Sequence, residues 1–361
     1  MINNFETGGS ERQFVVLAQN IDASKFRVHP GCVNTRGPLA SELGAVPKFP
    51  LGTSLMKWRA MRSRFELAYY LRSHRIQIAH SFDFYTNLSM IPVARLARIP
   101  IVIGSHRQLG DLLTPFQFRT QLAVFRFCDA VVFNSQAGAE RLAAAGLPRE
   151  KIAVIGNALP SAAFYPAPPA LLPIASPRVT MVARMNSGYK NHSGFLRIAA
   201  AIHQRISDAE FLLVGDGPLR AEIEQQAAAL NLAGRVQFLG DRRDIPALLA
   251  STDVAVLTSD SEGLSNVILE AMAAGVPAVA YAVGGNPELI TADRGILVSP
   301  GNESEFAAAV CRLLAEPTLR RQQGENARQF AEQNFSLAHV CRQYEDLYMR
   351  LLNRKLRRSM G

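Results

Sequence analysis

The sequence predicts an α/β protein built on two doubly wound parallel sheets, and three observations predict it. Short β-branched runs alternate with helical apolar patterns on both sides of residue 160, the pattern of βαβ units. The two alternating stretches are parted by Pro160–Pro177, which holds six prolines in 18 residues and reads as a semi-rigid linker. At 361 residues and 48% hydrophobic content, the chain has material for two cores. The expected divisions are a first domain over 1–160, the linker over 161–177, a second domain over 178–336, and a helix with a basic tail over 337–361.

The first domain opens on Phe5–Arg12, where Gly8 and Gly9 precede a helical pattern. Paired glycines let backbone amides approach a phosphate or sugar closely, and from the residues alone a plain turn reads equally well. Strands are expected over Phe26–Val33, Ile76–His80, Pro100–Ser105, Ala130–Asn134 and Ile152–Ile155. Only Met1–Asn4 precede Phe5, fewer than the five or six residues of a typical strand. The expectation is either a first strand cut short by a start placed too late, or a shortened strand over residues 1–5. Lys57–Phe65 opens a helix with Trp58, Met61 and Phe65 on one face and Arg59, Arg62 and Arg64 around it. That arrangement suits an anionic membrane surface and equally an ordinary solvated face.

Charge is unevenly divided. Residues 1–160 hold 19 Lys+Arg against 10 Asp+Glu, whereas residues 161–361 hold 20 of each. The excess positive charge of +9 therefore belongs to the first domain and points to an anionic partner there: nucleic acid, a membrane surface or a phosphorylated substrate.

In the second domain, strands are expected over Val179–Ala183, Phe211–Val214, Val236–Leu239, Val254–Leu257, Ala278–Tyr281 and Ile296–Val298. Arg184 and Lys190 follow the first of these on a glycine-containing loop, where two cations can clamp a diphosphate and stabilise its leaving charge. Taken alone, that spacing more often marks exposed loop cations. Val214–Pro218 contains two glycines but lacks the third of a dinucleotide fingerprint, so a tight strand-to-helix turn is expected. The most informative stretch is Asp253–Pro277. A β-branched run enters a loop carrying Glu262, Gly263, Leu264 and Ser265. A helix follows, with Val267, Ile268, Ala271 and Met272 at helical spacing, and Gly275 with Pro277 ends it. A phosphate at the helix N-terminus would leave Glu270 to accept from ribose hydroxyls and Glu262 to contact a sugar. Leu337–Arg358 is one long helical pattern after the second sheet.

Ser261–Pro277 strongly resembles the signature of family 4 of the retaining glycosyltransferases, which runs Glu-Gly-x5-Leu-Glu-Ala-Met-Ala-x-Gly-x-Pro. The resemblance extends from Gly8 to about Tyr348. It implies the GT-B fold, in which two Rossmann-like domains face each other across a cleft and the C-terminal helix crosses back to the first domain. It also implies transfer of a sugar from a nucleotide diphosphate sugar with retention and without a protein nucleophile. The implied catalytic set is Glu262, Arg184, Lys190, Arg107 and His106. The implied donor-binding set is Gly8, Gly9, Arg184, Lys190, Arg242, Gly263, Leu264, Ser265 and Glu270, with the Val283–Glu288 loop also matching.

Family members often carry Thr-x-His-Asp after a first-domain strand. Here the histidine, His106, comes one residue early and Arg107 takes its place. Successive strand residues face opposite sides, so the two cannot simply exchange roles, and the reading favours Arg107 toward the cleft.

No Asp-x-Asp pair occurs, so no metal and no cofactor are expected, with the cations and the helix N-terminus neutralising charge. The implied partners are a nucleotide-sugar donor and a glycan or lipid-linked acceptor in cell-surface polysaccharide assembly. An anionic membrane surface is a further candidate for the first domain.

Two rival readings remain. A nucleotide-sugar epimerase on the same fold would need additional acid/base carboxylates. A nucleic-acid-binding protein would need a motif or an aromatic-interleaved basic stretch, which is lacking, so no nucleic-acid partner is expected. There is no run of 18 apolar residues and no charged segment leading into an apolar one at the start. Cys32, Cys128, Cys311 and Cys341 are scattered and read as reduced thiols. The expected location is the cytoplasm, or the inner face of the cytoplasmic membrane.

Overall fold

The computed structural model describes residues 1–6, 8–50, 58–165 and 177–360. Lys57 and the linker residues 166–176 lie outside the described residues. The chain divides into two compact units: Met1–Ala158 with Leu337–Gly361, and Leu159–Ser336.

The first unit carries a four-stranded sheet in the order β1-β2-β3-β4, with β1 Ile78–His80, β2 Ile101–His106, β3 Ala130–Phe133 and β4 Ile152–Val154. All pairs are parallel, and β2 and β3 are buried along their whole length. Parallel sheets are covered on both faces, and the side-chain alternation shows both layers. Ile101, Ile103 and Val132 join one apolar cluster with Phe14, and Val102, Val131 and Phe133 join another with Leu67. Helix α1, Gly9–Asn20, contributes Phe14, Val15 and Leu17 to the first layer. Helices α2, Trp58–Ser73, and α3, Phe84–Leu96, build the second, and α4, Pro115–Phe125, packs on α3.

The long helix Leu337–Met360 belongs to this unit, as the family resemblance implied. Its Val340, Cys341, Tyr344, Leu347 and Tyr348, at spacings of three and four, join the first layer. His80 fixes it further, with Nδ1 at 2.7 Å from the Tyr348 hydroxyl and Nε2 at 2.8 Å from Ser105 Oγ.

One expected strand is absent. Phe26–Val33 runs without ladder pairing until Cys32, which makes single parallel bridges to Ile2 and Lys48. Pro30 lacks a donor and Gly31 has no side chain to pack, and both disfavour a strand. Residues 1–5 lie extended beside 31–36: Ile2 donates to Gly31, Val33 to Ile2, Asn34 to Asn3 and Phe5 to Arg36.

The second unit has a six-stranded sheet in the order β10-β9-β8-β5-β6-β7. Its strands are β5 Arg178–Val182, β6 Glu210–Val214, β7 Val236–Phe238, β8 Val254–Leu257, β9 Ala278–Tyr281 and β10 Gly295–Val298, all parallel. From β5 the chain winds outward through β6 and β7, then returns to β8 on the other side. The winding direction therefore reverses between β5 and β8. Leu159 and Phe164, from the start of the proline-rich stretch, are buried in this unit's core with Leu257 and Ile268. All four cysteines are free thiols. Among the described residues no helix is long and apolar enough to cross a membrane.

Candidate functional site

A reversal of winding direction leaves two loops diverging at the carboxyl ends of adjacent strands, where open α/β sheets bind ligands. In the second unit these loops follow β5 and β8. The β5 loop carries Arg184 and Lys190, and the β8 loop carries Glu262. The structure brings two of them together: Lys190 Nζ donates to Glu262 Oε1 at 2.6 Å, with side chains only 19% and 11% exposed. The ammonium also lies 5.1 Å from the centre of the Tyr189 ring.

Several ties hold the two loops against each other. The Thr258 hydroxyl donates to the carbonyls of Lys190 and Asn191 at 3.2 and 3.0 Å. The Asp260 amide donates to the Tyr189 carbonyl at 2.8 Å. Asn191 adopts a left-handed backbone, φ +54°, and caps the helix His192–His203 by accepting from the Gly194 amide. Asn191 also donates to Asp260 Oδ1 at 3.4 Å, and partial burial raises the Asp260 pKa.

Gly284 supports the β8 loop from behind. At φ +52° it lies so close that a Cβ there would sit 1.8 Å from the Glu262 carbonyl oxygen, and the neighbouring Gly285 amide donates to Gly263 at 2.8 Å. The β5 loop has a similar backing. Gly215 and Gly217 have φ +130° and +153°, and added Cβ atoms would meet the Ala183 and Met185 carbonyl oxygens at 2.3 and 2.4 Å. These glycines thus form a close-packed turn, as their lack of a third partner implied.

The remaining second-unit candidates lie around this pair. Gly263, Leu264 and Ser265 are buried. Ser265 caps the helix Asn266–Ala273 by accepting from the Ile268 amide. Glu270 is half-buried within that helix. Arg184 is exposed just beyond β5, whereas Arg242 is held in a two-point pair with Asp244 at 2.8 and 2.6 Å.

In the first unit, Gly8 is the N-cap of α1 with an extended backbone, and Gly9 opens the helix. The pleat of β2 separates His106 from Arg107. His106 is 2% exposed, its ring packed edge-on to Phe125 and Phe133. Burial lowers its pKa to about 4. Arg107 turns the other way, donating to Asn157 Oδ1 and to the Tyr344 hydroxyl while lying over the Phe82 ring.

Sequence reading did not single out Tyr189 or Thr258, and gave the Val283–Glu288 loop no role. Its visible signals were the paired glycines at 284 and 285 and its match to the family. A separate cavity of about 380 Å³ lies in the first unit, lined largely by apolar groups such as Phe14, Leu17, Leu67 and Leu71. It holds none of the predicted site residues, so the chemistry is sought at the Lys190–Glu262 pair.

Residues 7–162 match the family described as Glycosyltransferase Family 4, and residues 176–316 match Glycosyl transferases group 1. The lipopolysaccharide core biosynthesis glycosyltransferase LpsE of Rhizobium meliloti is 32% identical over 252 residues, 69% of each chain. The N-acetyl-alpha-D-glucosaminyl L-malate synthase of Bacillus anthracis is 40% identical over 146 residues, which is 40% of this chain and 38% of that protein. Among solved structures, Anabaena Alr3699/HepE in complex with UDP superposes with a TM-score of 0.85 at 24% identity, covering 96% of this chain and 98% of that one. The same protein has been solved with UDP-glucose, TM-score 0.82 at 22% identity over 96% and 98% of the two chains. At those identities the likeness shows the fold.

Proposed function

This chain belongs to the group 1, family 4 glycosyltransferases, and on that footing we propose that it transfers a sugar from a UDP-sugar to a glycan or lipid-linked acceptor in cell-surface polysaccharide assembly. The observation that carries the reading is the Lys190–Glu262 pair at the winding reversal between β5 and β8. A relative named for lipopolysaccharide core biosynthesis and a structural neighbour solved with UDP-glucose support the donor and acceptor classes.

In the proposed reaction the bond between the sugar C1 and the β-phosphate oxygen breaks, and its electron pair leaves on UDP. The acceptor oxygen bonds to C1 on the same face, and its proton passes to the departing phosphate, so the configuration is retained. Lys190 and Arg184 stabilise the negative charge that grows on the diphosphate, which is the largest service a preorganised site can supply. Glu262 holds the Lys190 ammonium in position and, in this reading, accepts from the sugar. Glu270 accepts from ribose hydroxyls. No metal is required, because the two cations and the N-terminus of the Asn266–Ala273 helix neutralise the diphosphate. Arg107 and the Gly8–Gly9 turn are the first unit's own candidates for contact with substrate.

The test is turnover with a panel of UDP-sugars, with and without EDTA. Replacing Lys190 or Arg184 by Ala should lower kcat roughly 10²–10³-fold, and Glu262→Ala should depress turnover more than UDP affinity. Activity abolished by chelation and restored by Mg²⁺ would overturn the metal-free route. An epimerised UDP-sugar formed without acceptor would overturn the transfer itself.

A further inference from the structure

The turn that carries Lys190 leaves carbonyls to be satisfied from elsewhere. It is a single short turn, Gly188–Lys190, followed by Asn191 with its left-handed backbone. The carbonyls of Tyr189, Lys190 and Asn191 all find donors on the loop after β8. The Asp260 amide serves Tyr189 at 2.8 Å, and the Thr258 hydroxyl proton is shared between Lys190 at 3.2 Å and Asn191 at 3.0 Å. The Asp260 donor is backbone and would be there with almost any residue. The Thr258 donor is a side chain, so here the amino-acid sequence decides where the turn sits.

Nothing in the strand itself calls for that hydroxyl. Thr258 is fully enclosed, directly after Val254–Leu257 of β8, and its oxygen otherwise meets the Met181 sulfur at 3.7 Å. Valine has the same shape, suits a buried strand end as well and brings no donor to be satisfied. A buried hydroxyl is tolerated where it is hydrogen-bonded. The β-branched side chain is stiff at χ1, which fixes the direction in which it donates. The Asn191 carbonyl keeps the Phe195 amide as a second partner, at 3.1 Å. The Lys190 carbonyl has no other among the described residues. Loss of the hydroxyl would leave it unmatched, at a cost that a shift of the turn relieves.

The side chain on that turn is held at its far end too. Lys190 Nζ donates to Glu262 Oε1 at 2.6 Å, on the same loop that carries Thr258. A lysine has a flexible four-carbon stem, so fixing its ammonium in space requires both ends to be held. We propose, on the footing that Lys190 meets the diphosphate, that Thr258 is a positioning residue for the donor. By holding the Lys190 carbonyl it sets the root of the side chain whose tip Glu262 holds. Thr258 is itself enclosed, so it acts through Lys190 and does not touch the donor.

Calorimetric titration of UDP onto the intact protein and four variants tests it. Thr258→Val keeps the shape and removes the donor, and should weaken UDP binding about fivefold to tenfold, part of what a charge-assisted contact is worth. Thr258→Ser returns the hydroxyl and should restore affinity to within about twofold of the parent. In a Lys190→Ala background, adding Thr258→Val should change affinity by less than about twofold, because residues that act through one another do not add. Lys190→Ala alone separates the two readings. If it binds UDP like the parent, the role of Lys190 fails; if it weakens binding and Thr258→Val does not, only the role of Thr258 fails. An equal loss from Thr258→Val with and without Lys190 would also overturn the proposal, since a general disturbance of the fold acts in both. So would a Thr258→Ser variant as weak as Thr258→Val, because the donor would then not account for the effect. Should Thr258→Val not fold, Thr258→Cys, whose S–H is a weak donor, takes its place. It should bind UDP more weakly than the parent and add nothing to Lys190→Ala, and either result reversed would overturn the proposal.

Discussion

At the scale of one residue, the site candidate His106 is a buried ring whose protonation is coupled to folding. Its ring is enclosed by Phe125 and Phe133, and neither nitrogen has a partner at full hydrogen-bond geometry among the described residues, with Gln121 nearby. Burial disfavours the charged form and lowers the pKa from the usual 6.5 to about 4. In the unfolded chain this histidine takes up a proton near 6.5, whereas the folded one stays neutral. Its stabilising contribution is therefore complete above pH 6.5 and is lost as pH falls from 6.5 through 4, amounting to about 3 kcal/mol at 1.4 kcal/mol per pH unit. His106→Phe should flatten the loss of stability over that window in denaturant titrations. A slope equal to that of the parent would contradict the assignment. His80 is also buried and its pKa is lowered in the same direction, so some slope will remain. The alternation of strand side chains was legible in the sequence and it separates His106 from Arg107. What the sequence could not supply was Asn157 and Tyr344, 50 and 237 residues away, which receive the guanidinium.

At the scale of elements, most of the sheet was legible because parallel strands buried on both faces read as short β-branched runs. Val254–Leu257 and Ala278–Tyr281 occur at the expected residues. Phe26–Val33 failed because Pro30 and Gly31 interrupt it, leaving single bridges at Cys32 to Ile2 and Lys48. The Lys190–Glu262 contact spans 72 residues and depends on β5 lying beside β8, a topological fact no local pattern contains. The Gly284 contact is hidden in the same way, since its partner is a carbonyl from another loop. Gly284→Ala should displace the Glu262 loop. It combines a left-handed backbone, which costs an L-residue about 1–2 kcal/mol, with a Cβ inside the Glu262 carbonyl. Activity should fall further than the melting temperature. A variant with unchanged turnover would show that Gly284 does not shape the loop. Tyr348→Phe should cost about 1–2 kcal/mol, because it leaves His80 Nδ1 without its partner in a buried position. Undiminished stability would mean that the helix Leu337–Met360 is held by its apolar face alone.

For the whole molecule, the two units divide the chemistry as they divide the charge. The sequence from residue 161 onward has no net charge and sets Arg184, Lys190 and Glu262 on the two loops at the winding reversal. The sequence up to residue 160 carries the positive excess and the exposed rings of Trp58, Phe65 and Tyr69. The central claim is that the loops after β5 and β8, with the helix Asn266–Ala273, hold the nucleotide of the donor. Calorimetric titration of UDP onto the intact protein tests it most directly. The account predicts saturable binding that weakens by roughly tenfold to a hundredfold in Glu270→Ala, the loss of a charge-assisted hydrogen bond worth about 1.5–3 kcal/mol. It also predicts weaker binding in Lys190→Ala, and affinity largely kept in Glu262→Ala. UDP bound as tightly by the Glu270 and Lys190 variants as by the parent would contradict it.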